Sequence, residues 1–318
     1  MNLWKSARGA IKDVALPLAG IALLLVLFSI LAPNFFQVST FVTILRESSV
    51  LLVVAIGITY VVLMGSIDLS VGSTVTLAGL VSATLARDGN IVGSIVVGLL
   101  VGLIVGAING ALFAYAKVPS FLATLGVGLA VSGFGLWLVQ GRPVQIFDQT
   151  FLSISQGRVL LDLPNIIFWA LAAWLFFSWF GAKTRFGRYT FAIGGAEAVS
   201  KLAGIPVRRM KFWVLTLSGV LAALAGILLA SRVGAATPAM GDRLTLDAIA
   251  AVVMGGTALT GGVGGVHRTI LGVLVITTLG VGLNSLGVQP YIQDIIQGAV
   301  VVLAVALTLD RSKLTVIK

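Results

Sequence analysis

Two polar residues, Asp68 and Ser70, lie between long apolar runs, in the segment Gly-Ser-Ile-Asp-Leu-Ser-Val-Gly at 65–72. A carboxylate is costly to place in or near a lipid bilayer, so Asp68 points to a functional site on a path for ions or solutes. Both residues also suit the start of a helix, where a side-chain oxygen accepts hydrogen bonds from free backbone N–H groups. The two interpretations stay open, and they are compatible if the capped helix start lines the path.

Three further polar side chains lie in or beside apolar runs: Asn109, Thr257 and Thr260. An amide surrounded by lipid forms hydrogen bonds either with another helix or with a passing solute. We expect a helix partner for Asn109. The predicted lining of a translocation path therefore consists of Asp68, Ser70, Asn109, Thr257 and Thr260.

The remaining residue types argue against catalytic and metal chemistry. The chain has no cysteine and a single histidine, His267. No Ser/His/Asp set and no pair of carboxylates stands out, so we predict no catalytic, cofactor-binding or metal site in this chain. The glycine-rich stretch 255–265 lacks the Gly-Lys-Ser/Thr ending of a phosphate-binding loop, which predicts a flexible break in a helix and no ATP site.

The composition predicts a membrane protein. Of 318 residues, 58% are hydrophobic and 10% are charged, whereas a soluble domain is about a quarter charged. A membrane-crossing helix needs about 20 mostly apolar residues, and the apolar runs do not alternate as barrel strands would. We predict an all-α polytopic membrane protein with about ten transmembrane helices, some short or broken, in a single transmembrane domain over residues 1–318. The predicted spans are 14–32, 44–65, 71–86, 91–116, 121–140, 164–180, 212–231, 245–260, 266–284 and 291–309.

The basic residues predict the orientation of these spans. A formal net charge of +10 would suggest nucleic acid in a soluble protein. Here the basic residues lie between apolar runs, so we predict a lipid bilayer as partner and no nucleic acid. With both termini in the cytoplasm, 15 of the 21 Lys and Arg residues lie on the cytoplasmic side, which agrees with the positive-inside rule.

Glycine patterns suggest an internal repeat. Val-Leu-Met-Gly at 62–65 and Leu-Ser-Val-Gly at 69–72 align with Val-Val-Met-Gly at 252–255 and Leu-Thr-Gly-Gly at 259–262, at a constant offset of 190. Matching broken helices in two repeats mark the translocation path of many transporters. The same residues also recur by chance in an apolar chain, and both explanations stay open.

Small residues at helical spacing predict close packing between helices. Gly98, Gly102 and Gly106 are four residues apart, and Gly126 and Ala130 share that spacing. Small residues on one face let helix backbones approach closely in lipid. We expect both groups to lie at helix–helix contacts.

A polar segment at 181–211 interrupts the apolar sequence and carries seven of the 21 basic residues. Within it, residues 196–202 are predicted to form a short helix, because Glu197 and Lys201 have the spacing of an ion pair on one helix face. Gly204 supplies the stop at the carboxyl end. A small apolar face is formed by Ala198, Leu202 and Ile205. So short a helix is not stable alone, and it lies either on the lipid interface or in the groove of another protein.

Three motifs together carry a family resemblance. The first is Ile-Asp-Leu-Ser-Val-Gly at 67–72. The second is Thr-Arg-Phe-Gly-Arg at 184–188, which leads to Ala-Ile-Gly-Gly at 192–195 and Ala-Gly-Ile at 203–205. The third combines Gly-Gly-Thr at 255–257 and Gly-Gly at 261–262 with Gly-Val at 287–288 and Pro-Tyr at 290–291. Over nearly its whole length the chain resembles the permease subunits of sugar ABC importers, the ribose/xylose/autoinducer-2 group. It departs from the family pattern at Ser66 and at His267-Arg268, which bears on substrate choice or helix packing.

The resemblance implies a function and a set of partners. The chain would form the translocation path for a monosaccharide or a similar small polyol across the bacterial inner membrane, by alternating access. Its partners would be a second permease chain in a homo- or heterodimer, two ATP-binding domains and an extracytoplasmic sugar-binding protein. ATP and Mg²⁺ would bind the ATPase partner, and this chain would have no ATPase site. The scattered Ser, Thr and Asn side chains agree with a neutral, hydroxyl-rich solute.

The resemblance also implies that the polar segment 181–211 is a cytoplasmic coupling segment, and that residues 194–206 within it form the coupling helix seated in a groove of the ATPase. The residues expected to carry this contact are Gly195, Glu197, Ala198, Lys201, Leu202 and Gly204.

Two other classes of protein remain as alternatives. An ion-coupled secondary solute carrier would work without an ATPase, although few ionisable residues fall within the predicted spans for such coupling. A structural or scaffolding membrane protein would transport nothing.

Overall fold

The computed structural model describes residues 3–308, and within them the chain is built almost entirely of helices. Each of the ten predicted apolar segments coincides with a helix, which confirms the all-α class. Three shorter helices occupy segments that connect them. The helices are α1 (Leu3–Leu31), α2 (Val38–Leu63), α3 (Val71–Arg87), α4 (Ile91–Ala114), α5 (Ser120–Val139), α6 (Gln149–Gln156), α7 (Asn165–Lys183), α8 (Arg185–Gly195), α9 (Glu197–Leu202), α10 (Val207–Val233), α11 (Asp242–Met254), α12 (Val266–Ser285) and α13 (Pro290–Thr308).

Six of these helices, among the described residues, are long and apolar enough to cross a membrane by length and composition: α2, α4, α5, α7, α10 and α12. The helices α3 and α11 are shorter, with 17 and 13 residues. These helices support a multi-pass membrane fold. They do not confirm the predicted count of about ten spans. Three of the 15 basic residues predicted to lie on the cytoplasmic side, Arg311, Lys313 and Lys318, lie outside the described residues, as does the last residue of the predicted span 291–309.

The core of the chain is formed by α2 and α10. About two thirds of the most apolar stretch of each helix is buried inside the chain, against 28% for α4 and α5 and 17% for α7. Tyr60 on α2 is buried and donates a hydrogen bond to the carbonyl oxygen of Phe177 on α7 (2.6 Å). The apolar faces of α4, α5 and α7 that remain open suit contact with lipid.

The glycines of α4 allow it to cross α10 with backbone contact. A side-chain carbon added at Gly102 would overlap the carbonyl oxygen of Gly219, and one added at Gly106 would lie 2.7 Å from the carbonyl oxygen of Leu215. This confirms the packing predicted for the Gly98–Gly102–Gly106 face. The expectation for Gly126 and Ala130 is wrong within the described chain, because both residues are exposed and nothing lies within 4 Å of a carbon added at Gly126.

The short helices α3 and α11 begin against each other inside the protein. The N–H of Gly72 donates to Thr245 Oγ1 (2.9 Å), and the N–H of Gly241 donates to Thr76 Oγ1 (3.0 Å). These are the first residues of the two helices or their immediate neighbours, whose N–H groups have no partner inside the helix. The two amino ends therefore satisfy each other with threonine hydroxyls.

The segment between α5 and α7 contains a short strand and a helix. Strand β1 (Val144–Gln145) pairs antiparallel with β2 (Ala235–Ala236). Helix α6 follows and is capped by Asp148, whose carboxylate accepts from the N–H of Phe151 (3.0 Å). Ser155 on α6 donates to the carbonyl oxygen of Leu228 on α10 (2.8 Å), which ties this segment to the core.

Candidate functional site

A buried polar cluster surrounds Asp68, in the turn between α2 and α3. Asp68 Oδ1 accepts hydrogen bonds from the backbone N–H and the hydroxyl of Ser70 (3.0 and 2.6 Å). Asp68 Oδ2 accepts from the hydroxyl of Ser218, in the middle of α10 (2.8 Å). The carboxylate is 2% exposed. Asp68 thus accepts from the N–H of Ser70, the N-cap residue of α3, and also joins α3 to α10. Neither Asp68 nor Ser70 accepts through its side chain from an N–H inside α3, so the predicted side-chain capping of this helix is not found among the described residues.

Asn109 belongs to the same cluster. Its amide Nδ2 donates to the hydroxyl oxygen of Ser70 (2.8 Å), so α4 is joined to the start of α3. This confirms the expected helix partner for Asn109. The amide oxygen of Asn109 is buried and has no hydrogen-bond partner among the described residues. Three of the predicted path residues, Asp68, Ser70 and Asn109, are therefore in direct contact.

Thr257 and Thr260 lie elsewhere, in the glycine-rich connection between α11 and α12. Thr257 is buried, and its hydroxyl accepts from the N–H of Gly265 (3.4 Å). Thr260 is exposed. No hydrogen bond joins either threonine to the Asp68 cluster within the described chain.

The same connection, residues 255–265, is not helical and separates α11 from α12. It also contacts both the end of α2 and the end of α8. The N–H of Gly262 donates to the carbonyl oxygen of Leu63 at the end of α2 (2.9 Å). A carbon added at Gly261 would lie 2.7 Å from the backbone nitrogen of Gly65 and 3.0 Å from the Cα of Gly194. Gly261 and Gly262 also have positive φ angles (83° and 70°), which glycine adopts without strain. The two copies of the suggested repeat match in one respect, because each glycine-rich break follows the end of a helix. They differ in another, because Gly72 lies inside α3 whereas the aligned Gly262 lies before the start of α12.

The predicted coupling segment folds as α8 followed by α9. Thr184 caps α8 through its hydroxyl, which accepts from the N–H of Gly187 (3.4 Å). Near the end of α8, Gly194 packs on Leu63, and a carbon at Gly194 would overlap the Leu63 carbonyl oxygen. Helix α9 ends at Leu202, and Gly204 has a positive φ of 79°, as its predicted role as a helix stop requires.

One face of α9 is held by the protein and the other is open. Ser200 is 5% exposed, whereas Val199 is 64% and Leu202 is 90% exposed. Ala198 and Lys201 are also exposed, and a carbon added at Gly195 would meet nothing within 4 Å. Apolar side chains this open on a helix too short to be stable by itself are suited to a partner surface.

The predicted ion pair on α9 is wrong. Glu197 pairs with Lys211 on α10 (2.7 Å) instead of with Lys201. Lys211 is 17% exposed and its ammonium also lies 4.5 Å from the centre of the Phe113 ring. Lys211 therefore lies between Phe113 of α4 and Glu197 of α9. The ion pair joins the start of α9 to the first turns of α10.

Three site residues escaped the sequence analysis: Ser218, Thr76 and Thr245. Each lies 150 or more residues along the chain from its partner, so no local spacing identifies the pair. The available signal was a hydroxyl in an otherwise apolar helix, since such side chains form hydrogen bonds between membrane helices. Among the described residues, no group of three or more His, Cys, Asp or Glu side chains is placed to hold a metal ion.

A core of apolar helices, two short helices that meet inside it and a short exposed helix on one side define a multi-pass helical membrane protein. The family model described as "Branched-chain amino acid transport system / permease component" matches residues 40–305. The chain belongs to this family. No solved structure matches it.

Curated relatives cover nearly the whole chain. It is 40% identical to the probable ABC transporter permease protein YphD of Escherichia coli, over 93% of this chain and 89% of the relative. It is 39% identical to the ribose import permease protein RbsC of Bacillus subtilis, over 93% and 92% of the two chains. The galactose/methyl galactoside import permease protein MglC of Escherichia coli is 38% identical, over 89% and 91%. The resemblance to permeases of sugar ABC importers is confirmed.

Proposed function

We propose that this chain is the membrane-spanning subunit of an ATP-driven importer in the bacterial inner membrane, and that it forms the path for a monosaccharide or a similar small polyol. ATP and Mg²⁺ bind a separate ATPase subunit, which docks on α9. Transport proceeds by alternating access of the path to the two sides of the membrane. A second permease chain and an extracytoplasmic sugar-binding protein complete the assembly.

The observation that carries this proposal is the open apolar face of α9. Leu202 is 90% exposed at the end of a six-residue helix. A side chain of this kind gains about 1.5–3 kcal/mol when a partner buries it fully. A groove in the ATPase is the occupant we infer, because a short helix with apolar anchors is a common recognition element between proteins.

The packing of α8, the helix that leads into α9, supports a mechanical role for this segment. Helix α8 is packed on the carbonyl of Leu63 and on the 255–265 connection, with backbone contact at Gly194. Because these contacts are too close to be compressed, a displacement of α9 is transmitted to the ends of α2 and α11. Both ends lie next to glycines with positive φ, Gly65 and Gly256, where the backbone can bend.

The substrate class is inferred from the relatives and from the polar residues of the interior. The curated relatives carry ribose and galactose or methyl galactoside in their names. Hydroxyl and amide groups outnumber charged groups at Asp68, Ser70, Asn109 and Ser218. The orphaned amide oxygen of Asn109 is an acceptor that a solute hydroxyl would satisfy if the cluster opens during transport. We therefore keep Asp68, Ser70, Asn109, Thr257 and Thr260 as the proposed path residues.

Reconstitution in vesicles tests this function against an ion-coupled carrier. The chain is incorporated with its candidate ATPase, the binding protein is added outside, and uptake of radiolabelled ribose and galactose is measured. We expect uptake that requires ATP and the binding protein and does not change when ion gradients are collapsed. Uptake by the chain alone, driven by a proton or sodium gradient, would establish the carrier instead.

A further inference from the structure

A cavity of about 560 Å³ opens beside α9, between the α4–α5 connection and the start of α10. Its walls combine apolar and basic side chains. The apolar part includes Phe113, Val118 and Ile205. The basic part consists of Lys117, Lys201, Arg208, Arg209 and Lys211.

The charge of this cavity is not balanced by the protein. Glu197 is the one acidic residue in its lining, and it is already paired with Lys211 (2.7 Å). Lys117, Arg208 and Arg209 form no salt bridge with any residue that the structure describes. Cations held close together repel one another unless an anion lies between them.

The start of α10 adds to the same positive potential. Arg208 and Arg209 lie in the first turn of this 27-residue helix, and Pro206 at its N-cap provides no side-chain hydrogen bond to the free N–H groups. The amino end of a helix carries a partial positive charge, so basic side chains are unfavourable there without a counter-ion. The cavity therefore combines unpaired cations with the positive end of a helix.

Exposed aromatic residues close in sequence to the cavity lining favour a position at the level of lipid headgroups. Tyr115, Phe121 and Trp213 are 57%, 47% and 54% exposed, and each lies within two residues of a lining residue. Exposed aromatic residues at the ends of membrane helices mark the boundary between hydrocarbon and water. Helices α4 and α5, which lead to the cavity, turn most of their apolar surface outward. A lipid lying along these helices would bring its headgroup to the basic residues.

We propose that this cavity binds the phosphate headgroup of an anionic phospholipid of the cytoplasmic leaflet. The phosphate lies against Arg208, Arg209 and Lys117, and the acyl chains follow α4 and α5. Because Lys201 and Glu197 of α9 line the same cavity, the bound lipid holds the coupling helix against the membrane domain. Leu202 and Val199 do not line this cavity, so the proposed lipid site does not depend on ATPase docking through them.

The test measures lipid bound to the purified permease chain without any ATPase. The chain is exchanged into a detergent with graded dioleoyl phosphatidylglycerol or dioleoyl phosphatidylcholine, and retained lipids are counted by native mass spectrometry. The variant Arg208→Gln/Arg209→Gln removes two cavity cations. The control Arg185→Gln/Arg188→Gln removes two exposed cations of α8 that do not line the cavity.

We expect the wild type and the α8 control to retain phosphatidylglycerol in preference to phosphatidylcholine. The cavity variant is expected to bind phosphatidylglycerol about tenfold more weakly or worse, since each cation near an anionic surface contributes about a factor of five. A Lys117→Gln variant provides a second measurement if the double variant does not fold.

Three results would overturn the proposal. Equal retention of phosphatidylglycerol by the cavity variant and the control would show that the lipid binds elsewhere. Equally tight binding of inorganic phosphate, with displacement of the lipid, would identify a site for a free anion. Loss of ATPase capture by the cavity variant with unchanged lipid retention would assign the cavity to an acidic segment of the protein partner.

Discussion

At the scale of single residues, the interior is organised by hydrogen bonds between helices. Asp68 joins the start of α3 to Ser218 on α10, and Ser70 receives Asn109 from α4. That Asp68 lies at the start of a helix could be predicted from its position before an apolar run. Ser218 could not, because 150 residues separate it from Asp68 and nothing in its local sequence identifies a partner.

Replacement of Asp68 distinguishes the structural role from a role of its charge. In Asp68→Asn, the side-chain oxygen can still accept from Ser70, and the amide can donate to the Ser218 hydroxyl. In Asp68→Ala, these buried donors lose their acceptor, which costs at least about 1–3 kcal/mol. We expect a clearly lower melting temperature in detergent for Asp68→Ala and a near-normal one for Asp68→Asn.

A transport assay on the same variants tests whether the negative charge of Asp68 is needed for function. An Asn variant that melts normally but no longer transports would show that the negative charge itself is needed. An Asn variant as unstable as the Ala variant would contradict the hydrogen-bond arrangement described for the cluster.

At the scale of helices, the sequence located the elements but not their contacts. The length of the apolar runs placed the long helices, and Gly204 placed the end of α9. The sequence did not reveal that α3 and α11 meet at Gly72 and Gly241, because these hydrogen bonds join residues over 160 positions apart. The sequence also did not distinguish the glycine face of α4, which packs on α10, from Gly126 on α5, which stays exposed.

Two glycines of α8 test the rigid base of the coupling segment. A carbon at Gly194 overlaps the carbonyl oxygen of Leu63, whereas a carbon at Gly195 has open space. Overpacking of this kind costs typically about 1–3 kcal/mol. We expect Gly194→Ala to lower the melting temperature and Gly195→Ala to leave it nearly unchanged. Equal melting temperatures for the two variants would contradict the backbone contact between α8 and α2.

A second glycine pair tests the crossing of α4 and α10. Gly102→Leu drives a large side chain into the backbone of Gly219, while Gly126→Leu extends from the open face of α5. We expect Gly102→Leu to abolish recovery of monodisperse protein in size-exclusion chromatography. Gly126→Leu is expected to give a monodisperse chain, and its failure to do so would show that this face of α5 has a partner within the fold.

At the scale of the whole molecule, the absence of cysteine makes the orientation directly measurable. The positive-inside imbalance predicts that α9 faces the cytoplasm and that the segment before α7 faces the other side. Leu202→Cys and Val159→Cys place single thiols at positions that are 90% and 85% exposed. We expect an impermeant maleimide to label Val159→Cys in intact spheroplasts and Leu202→Cys only in inverted vesicles. The reverse pattern would invert the predicted topology.

The family could be identified from the sequence because its motifs lie at Asp68, at α8–α9 and in the 255–265 connection, where backbone geometry restricts the residue type. Helix number was harder to predict. A broken helix such as α3 or α11 is apolar like a full span, although it begins inside the protein. The identity of the transported sugar is the property that the sequence predicts least well. The polar side chains of the Asp68 cluster offer hydrogen bonds that many hydroxylated solutes could form.

The most direct test of the central claim is capture of the ATPase through α9. The tagged chain is extracted in mild detergent from cells that also make the candidate ATP-binding subunit, and that subunit is quantified in the eluate. Leu202→Arg places a charge on the open face of α9, and Leu161→Arg makes the same change at a 79% exposed position in the segment before α7. We predict capture by the wild type and by Leu161→Arg, with at least about a tenfold loss for Leu202→Arg. Capture by Leu202→Arg at the wild-type level would contradict docking through α9.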